Sequence, residues 1–566
     1  MSGPVLNSAT QERAWEELSS ASFDVLVVGG GVTGAGAALD AATRGLRTAV
    51  VEQRDWAAGT SSRSSKLFHG GLRYLEQLNF SLVREALRER ELMLTRLAPH
   101  LVRPVSFLYP LRHRGWERPY VGAGMLLYDN LGGARSVPGH RHYTRRGALG
   151  LAPGLDPAAL TGALRYYDAE VDDARHTLTL VRTAARHGAV ARSSTEVVGL
   201  TRDGDRVTGA RLRDVETGRT TSVRARVVLN CTGVWSDRLH DLAGGDSPFT
   251  VRASKGVHIT VPRERFRSET GLILRAGKSV LFFIPWGTRW IIGTTDTGWD
   301  LDVAHPAATS ADLGHILRHA NSVLAEPLTT RDILGVYAGL RPLLAKGTGA
   351  GGTTALSREH AVARPRPGLV SVAGGKYTTY RVMAADAVDA AAPDLPGLVP
   401  SVTAEVPLLG ADGYRALCNR VGALAAGHGV TERRMRSLLD RYGSLTGEVL
   451  APARDETSLL EPVDGAEEHL RAEIRYAVTH EGALHLDDVL TRRTRISFER
   501  ADRGTDAAEA VAGIMGEVLG WDARTRASEV DNYLGRVEAE RAAQRLPDDA
   551  SAAAARSRVP DSRTVS

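Results

Sequence analysis

Cysteine is nearly absent. Only Cys231 and Cys418 occur, far apart in the chain, which excludes a disulfide framework or a C-x-x-C redox pair and points to a reducing cytoplasm. No apolar run approaches the about 20 residues of a membrane-spanning helix, and residues 1–21 are polar and acidic, unlike a signal peptide. Attachment to a membrane surface is left open by that absence. No basic block or aromatic–basic module stands out, and the net charge of +5 over 566 residues is spread along the chain, so nucleic-acid binding is not indicated. No metal site is nominated and no internal repeat is seen. Lysine is scarce as well: among 71 basic residues only Lys66, Lys255, Lys278, Lys346 and Lys376 are not arginine. Arginine and lysine differ in shape, hydration and acidity, so a retained lysine marks a position to inspect; chance suffices for Lys278 and Lys346.

What the chain does have is a complete nucleotide signature. It is too long for one core, so two or three domains are expected. Residues 24–52 read DVLVVGGGVTGAGAALDAATRGLRTAVVE. An apolar strand leads to Gly29, Gly31 and Gly34 in G-x-G-x-x-G spacing. An Ala-rich helix follows, then a second apolar strand ending at Glu52. Gly29 permits the tight turn, Gly31 lets backbone approach a pyrophosphate, and Gly34 lets helix and strand pack closely. The helix N-terminus then offers free N–H groups and a positive dipole end to the phosphates. Glu52 would accept from ribose hydroxyls, and with no arginine directly after it the site argues against a 2′-phosphate. The motif alone does not choose between FAD and NAD.

The layout does choose. Residues 79–98 have amphipathic helical spacing, and 99–165, rich in Pro, Gly and Arg, suggest loops and short elements. Residues 174–188 look helical. Residues 195–230 read as a β-meander ending in the buried strand ARVVLNCTG, and 249–300 alternate as an antiparallel sheet does. Residues 368–392 give strand, Gly-Gly turn and helix; Pro393, Pro396 and Pro400 mark a linker; 410–540 have helical spacing; and 543–566, small and polar, read as disordered. Three nucleotide-type segments, near 24–52, 225–234 and 370–382, are therefore separated by β-rich material, which fits a flavoprotein with an interleaved substrate domain. The expected division is an N-terminal extension (1–21), an FAD-binding domain (about 22–78, 166–245 and 353–398), a substrate domain (about 79–165 and 246–352), a C-terminal helical domain (399–542) and a disordered tail (543–566).

Residues 60–76, TSSRSSKLFHGGLRYLE, leave the nucleotide strand beside the cofactor. Ser61, Ser62, Ser64 and Ser65 can hydrogen-bond phosphate or a flavin edge. Gly70 and Gly71 allow close backbone approach. His69 is an acid–base candidate, and Arg73 and Tyr74 are anion-binding groups; the bland alternative is a solvated serine loop.

These two stretches resemble the FAD-dependent (respiratory) glycerol-3-phosphate dehydrogenases. So, in order, do LYDNLGG at 127–133, YYDAEVDDARHTL at 166–178, NCTGVWSD at 230–237, SKGVHITVP at 254–262, IPWGTRWIIGTTDT at 284–297, YAGLRPLL at 337–344, AGGKYTTYR at 373–381, RYGS at 441–444 and EIRYAVTHEGALHLDDVLTRRTRI at 473–496. The resemblance covers about residues 22–540. It implies an α/β (α+β) flavoprotein of the glutathione-reductase/D-amino-acid-oxidase type: a Rossmann-like FAD domain interleaved with an antiparallel-sheet substrate domain, plus a C-terminal helical domain. It implies oxidation of sn-glycerol 3-phosphate to dihydroxyacetone phosphate, with electrons passed to membrane quinone from the inner face of the cell membrane. A homodimer is compatible with it.

By the same resemblance Gly29, Gly31, Gly34 and Glu52 hold the ADP half of FAD. Ser61, Ser62, Ser65 and Lys66 lie along the pyrophosphate and flavin, Val197 near the adenine, and Thr232 and Gly233 near the nucleotide. Gly374, Gly375 and Lys376 meet the isoalloxazine. Arg73, Arg341, Arg358 and Tyr74 match the glycerophosphate pocket, where guanidinium forks suit a phosphate dianion. Lys376 and His69 are the base candidates; a third route lets an arginine polarise the hydroxyl while water removes the proton. Cys231 replaces a usual small apolar residue and is expected to pack without a redox role. The basic, aromatic stretch RHRGWERPY at 112–120 reads equally as a lipid-headgroup contact or a solvated loop. Three rivals stay open: a glycerol-3-phosphate oxidase using O2, an amine or amino-acid oxidase of the same fold, and a non-catalytic flavin or NAD sensor.

Overall fold

The computed structural model describes residues 3–76, 78–132, 136–244, 249–276, 279–344 and 359–563. The nucleotide unit forms as its spacing requires. The strand Ser22–Val28 is followed by the helix Val32–Thr43 and the strand Thr48–Val51, and the two strands pair in parallel. Val25, Leu26 and Val27 are wholly buried, as expected for a parallel strand covered on both faces. The strand Thr220–Asn230 pairs in parallel on the other side, and Leu369–Gly374 pairs with that. Segments far apart in sequence therefore build one sheet, in the order His360–Arg366, Leu369–Gly374, Thr220–Asn230, Ser22–Val28, Thr48–Val51, Val190–Arg192. The meander Thr195–Asp203 and Arg206–Asp214 hangs from it through Thr220–Asn230. The helices Val32–Thr43, Asp173–Arg186 and Tyr380–Asp389 cover one face.

The other face is covered partly by the helix Ser8–Ser20, in the stretch expected as an extension. Asn7 caps it, accepting from Thr10 N at 3.0 Å. Its Trp15 and Leu18 are buried with Phe23, Val28 and Val228. Burying one such side chain contributes about 2 kcal/mol, so this helix is part of the sheet's core.

A second, ten-stranded sheet is antiparallel except where Gly271–Ala276 runs parallel to Val102–Leu111. Its long pair, Val251–Pro262 with Gly335–Leu344, sets Ser254 opposite Arg341, Gly256 opposite Gly339 and His258 opposite Tyr337. The expected boundary at 166 falls inside the strand Gly162–Val171, which belongs to this second sheet. Residues 401–543 are mainly helical, with one small hairpin at Pro462–Val463 and Ala466–Leu470.

Two expectations are corrected. Residues 99–165 hold a ten-residue strand, Val102–Leu111, and a fifteen-residue helix, Glu117–Leu131. Pro104 and Pro110 argue against a strand, but the second partner reaches this one only at Phe107 and Leu108, so the missing N–H groups break no ladder there. The tail is ordered through residue 563: the helix Asp549–Arg556 starts at Asp548, which accepts from Ser551 N at 2.8 Å, and buries Ala552 and Ala555. Small side chains let it pack closely; they do not leave it disordered. Among the described residues no helix is long and apolar enough to cross a membrane.

Candidate active site

A cavity of about 690 Å³ runs between the two sheets. Its nucleotide end is built by three glycines. Gly29 ends its strand at φ +110°, and a Cβ there would lie 2.7 Å from the Cys231 carbonyl oxygen. A Cβ on Gly34 would lie 1.9 Å from Gly29 O, so helix and strand can approach this closely only with glycine. Gly31 is the N-cap of the helix Val32–Thr43 and supplies no side-chain cap. Ser61 Oγ accepts from Val32 N at 2.8 Å instead, leaving a helix N-terminus and a hydroxyl facing the cavity, the arrangement that binds phosphate. Glu52 is oriented by Gly30 N at 2.6 Å and Arg54 N at 2.8 Å; burial, the largest influence, raises its pKa despite these donors. Val197, Thr232 and Gly233 line the same end. A cradle that a Cβ would fill, a free helix end and an oriented carboxylate fit the ADP half of FAD.

The serine loop divides. Ser61 and Ser65 line the cavity, but Ser62 and Lys66, both expected along the pyrophosphate and flavin, do not. Lys66 is wholly buried, with φ +55°. Its Nζ donates to Asp173 Oδ1 at 2.8 Å and to Ser62 O at 3.1 Å, and the Arg495 guanidinium also donates to Asp173. Burial first, and Arg495 next, press the Lys66 ammonium down to about 8. Lys66 therefore ties the loop to the first residue of the helix Asp173–Arg186 and does not line the cavity.

At the opposite end Gly374 (φ +75°) and Gly375 (φ +81°) turn the chain from strand into the helical segment beginning at Tyr377. Its N-terminus faces the cavity, where it favours negative charge on a flavin ring. Lys376 Nζ sits 3.6 Å from the centroid of the Tyr74 ring. Gly71 packs beside both, since a Cβ there would lie 3.2 Å from that Nζ. His69 lines the cavity, and its backbone N–H donates to Thr378 Oγ1 at 3.2 Å. Arg341 also lines it, donating to Thr294 Oγ1 at 2.9 Å and Thr295 O at 3.1 Å. The cavity thus brings together Lys376, His69, Tyr74 and Arg341. The Arg73 side chain and all of Arg358 lie outside the described residues.

Two cavity groups were not nominated from sequence. His258 is buried, stacked on Tyr337 at 4.8 Å, with Nε2 2.9 Å from Ser65 Oγ. Burial, then the Arg341 and Lys66 charges, holds its pKa well below the ordinary histidine value, so it is neutral at pH 7. The period-two alternation of SKGVHITVP carried the signal, for Ser254, Gly256 and His258 share one face and each meets the cavity or Arg341. Asp168 is the second. It accepts from Tyr128 OH at 2.6 Å and Arg90 Nη1 at 2.9 Å under Gly70, a pairing across some forty to eighty residues that no local pattern reveals.

The comparisons agree with this geometry. Residues 24–381 match the FAD dependent oxidoreductase family, and 401–526 match the C-terminal domain of alpha-glycerophosphate oxidase. The glycerol-3-phosphate dehydrogenase of Mycobacterium leprae is 60% identical over 97% of this chain and 94% of its own length. The human mitochondrial glycerol-3-phosphate dehydrogenase is 36% identical over 89% of this chain and 71% of its own. The structure of the glycerol-3-phosphate dehydrogenase of Bacillus halodurans, solved with FAD, superposes with a TM-score of 0.79 at 29% identity, covering 94% of this chain and 98% of that one. The nucleotide cradle, the interleaved sheets and these matches together place the chain in the FAD-dependent glycerol-3-phosphate dehydrogenase family.

Proposed function

We propose that the protein oxidises sn-glycerol 3-phosphate to dihydroxyacetone phosphate and passes the electrons to a membrane quinone. The observation that supports this best is the meeting of a dinucleotide cradle with Lys376, Arg341 and a neutral histidine in one cavity. FAD, when bound, supplies the hydride acceptor. Lys376 and Arg341 hold the phosphate and orient C2 of the substrate, with Arg73 and Arg358 joining them. His258 takes the hydroxyl proton as the hydride leaves, at Nε2, the ring nitrogen 2.9 Å from the cavity-lining Ser65 Oγ, in the tautomer protonated at the enclosed Nδ1. His69 and Lys376 are the competing proton acceptors.

The test is the absorbance spectrum of the purified protein under anaerobic single turnover. Glycerol 3-phosphate is expected to bleach the flavin band; an unchanged band overturns the reading. His258→Asn should keep the band yet slow bleaching by about 100-fold or more, the usual loss for a general base. A normal rate there, with a slow His69→Ala or Lys376→Met, moves the role to that residue. The match of residues 401–526 to a domain named for an oxidase supports one alternative, reoxidation by O2, which comparison of O2 uptake with quinone-analogue reduction decides. Amino acids such as glycine should leave the band unchanged.

A peripheral site on the inner face of the cell membrane fits the quinone. Trp116, Tyr120 and Leu126 are each more than half exposed and Leu127 is also exposed. Trp116, the N-cap of the helix Glu117–Leu131, and Tyr120 and Leu127 within it recur at helical spacing, beside Arg112, His113 and Arg114. An apolar helix face next to cations suits anionic headgroups.

A further inference from the structure

The ordered segment 549–563 ends beside Glu52 and Val197 in the cavity, through Pro560, Asp561 and Arg563. We propose that it is a latch that retains FAD, a role that rests on FAD occupying this cavity.

Three anchors hold the segment there, one on each part of the molecule. The first is on the second sheet. Asp549 pairs with the buried ammonium of Lys255, which Asp312 also holds at 2.6 Å, and Ala552 and Ala555 pack with Trp299, Ala307 and Leu340. The second is on the nucleotide sheet. Asp561 lies 2.9 Å from Arg54 Nη2, two residues beyond Glu52, and Arg54 also lies 3.0 Å from His305 Nε2. Arg563 Nε donates to Ser194 Oγ at 3.0 Å, in the loop just before the strand that carries Val197. The third is on the helical part, where Arg563 grips Asp488 with both terminal nitrogens, at 2.8 and 2.6 Å.

Arg563 is only 7% exposed. A bidentate, desolvated guanidinium–carboxylate pair holds firmly only while both partners stay in place. The segment therefore has two states: seated, with all three anchors made, or lifted, with Asp488, Ser194 and Arg54 opened together. FAD leaves from the lifted state, and the seated state encloses its adenosine half.

The holoenzyme tests this directly. On dilution into flavin-free buffer, release is read as the rise of free-flavin fluorescence. Arg563→Met is expected to release FAD about tenfold faster or more, the change that about 1.4 kcal/mol of lost retention produces. Asp561→Asn, which weakens the contacts to Arg54 and His305 and leaves the Arg563 side chain in place, should shift release the same way by less, and it keeps the test valid should Arg563→Met fold poorly. Trypsin should cleave after the exposed Arg558 more slowly in the holoenzyme than in the flavin-stripped protein. Release within about twofold of wild type in both variants, with equal cleavage rates, would overturn the latch. A wild-type protein that takes up no FAD at all would overturn the cofactor reading instead, and the latch with it.

Discussion

Lys66 and Ser61 stand five residues apart and do different work. Lys66 neutralises Asp173 inside the protein, and Ser61 presents a hydroxyl at a helix N-terminus. Removing one partner of a buried ion pair costs about 3 kcal/mol. Lys66→Met should therefore lower the melting temperature of apo- and holoprotein alike. Ser61→Ala should weaken FAD binding by about 1 kcal/mol and, by removing the acceptor of Val32 N–H, lower apoprotein melting by less than Lys66→Met does. Calorimetry and flavin titration of the two variants separate the roles. The sequence could nominate both residues but not divide them. The three glycines and Glu52 were legible because one local turn demands them. Asp173, which captures Lys66, is 107 positions away, and no local rule links the two. Lysine scarcity was informative all the same: Lys66 and Lys255 are buried ion pairs and Lys376 lies in the active cavity.

Among the elements, the ends of helices carry both the chemistry and the joints. His485 precedes a short helical turn, with Nδ1 2.8 Å from Glu529 and Nε2 3.2 Å from Glu216. Burial is the largest single influence and opposes its charge, as does Arg563, yet hydrogen bonds donated to the two carboxylates raise it to about 10. Because the folded pKa lies above the unfolded value of about 6.5, this joint stabilises fully below that pH and is lost as pH rises toward 10. The melting temperature should fall between pH 7 and 10, and His485→Gln should flatten that slope. At this scale sequence patterns were reliable wherever periodicity was uninterrupted: the meander, the antiparallel strands and the helix Asp173–Arg186. They failed at Val102–Leu111, where prolines occupy a strand with one partner along most of its length, and at Glu117–Leu131, where Gly122 and Gly124 weaken the helical pattern. A Cβ at Gly122 would come within 2.9 Å of the His142 ring.

For the whole molecule the decisive arrangement is two sheets facing one cavity, with the helix Glu117–Leu131 exposing its aromatic face away from the core. Wild-type protein should sediment with anionic phospholipid vesicles. The triple change Trp116→Ser, Tyr120→Ser, Leu127→Ser should weaken that by more than about tenfold, since each side chain buries apolar area worth more than about 1 kcal/mol. Vesicle binding unaffected by the change would remove this face as the docking surface.

The strand Ser22–Val28 and the segment 549–563 meet at one cofactor mouth although 541 positions separate Ser22 from Arg563. The sheet that carries the cradle is complete once Leu369–Gly374 is made, so a ribosome adding about 5–20 residues per second finishes the cradle about ten to forty seconds before its cover. During that interval the growing chain presents a formed phosphate-binding turn with nothing across it. Cellular FAD supply over that window, rather than affinity in the finished protein, would then set how much of each batch matures loaded.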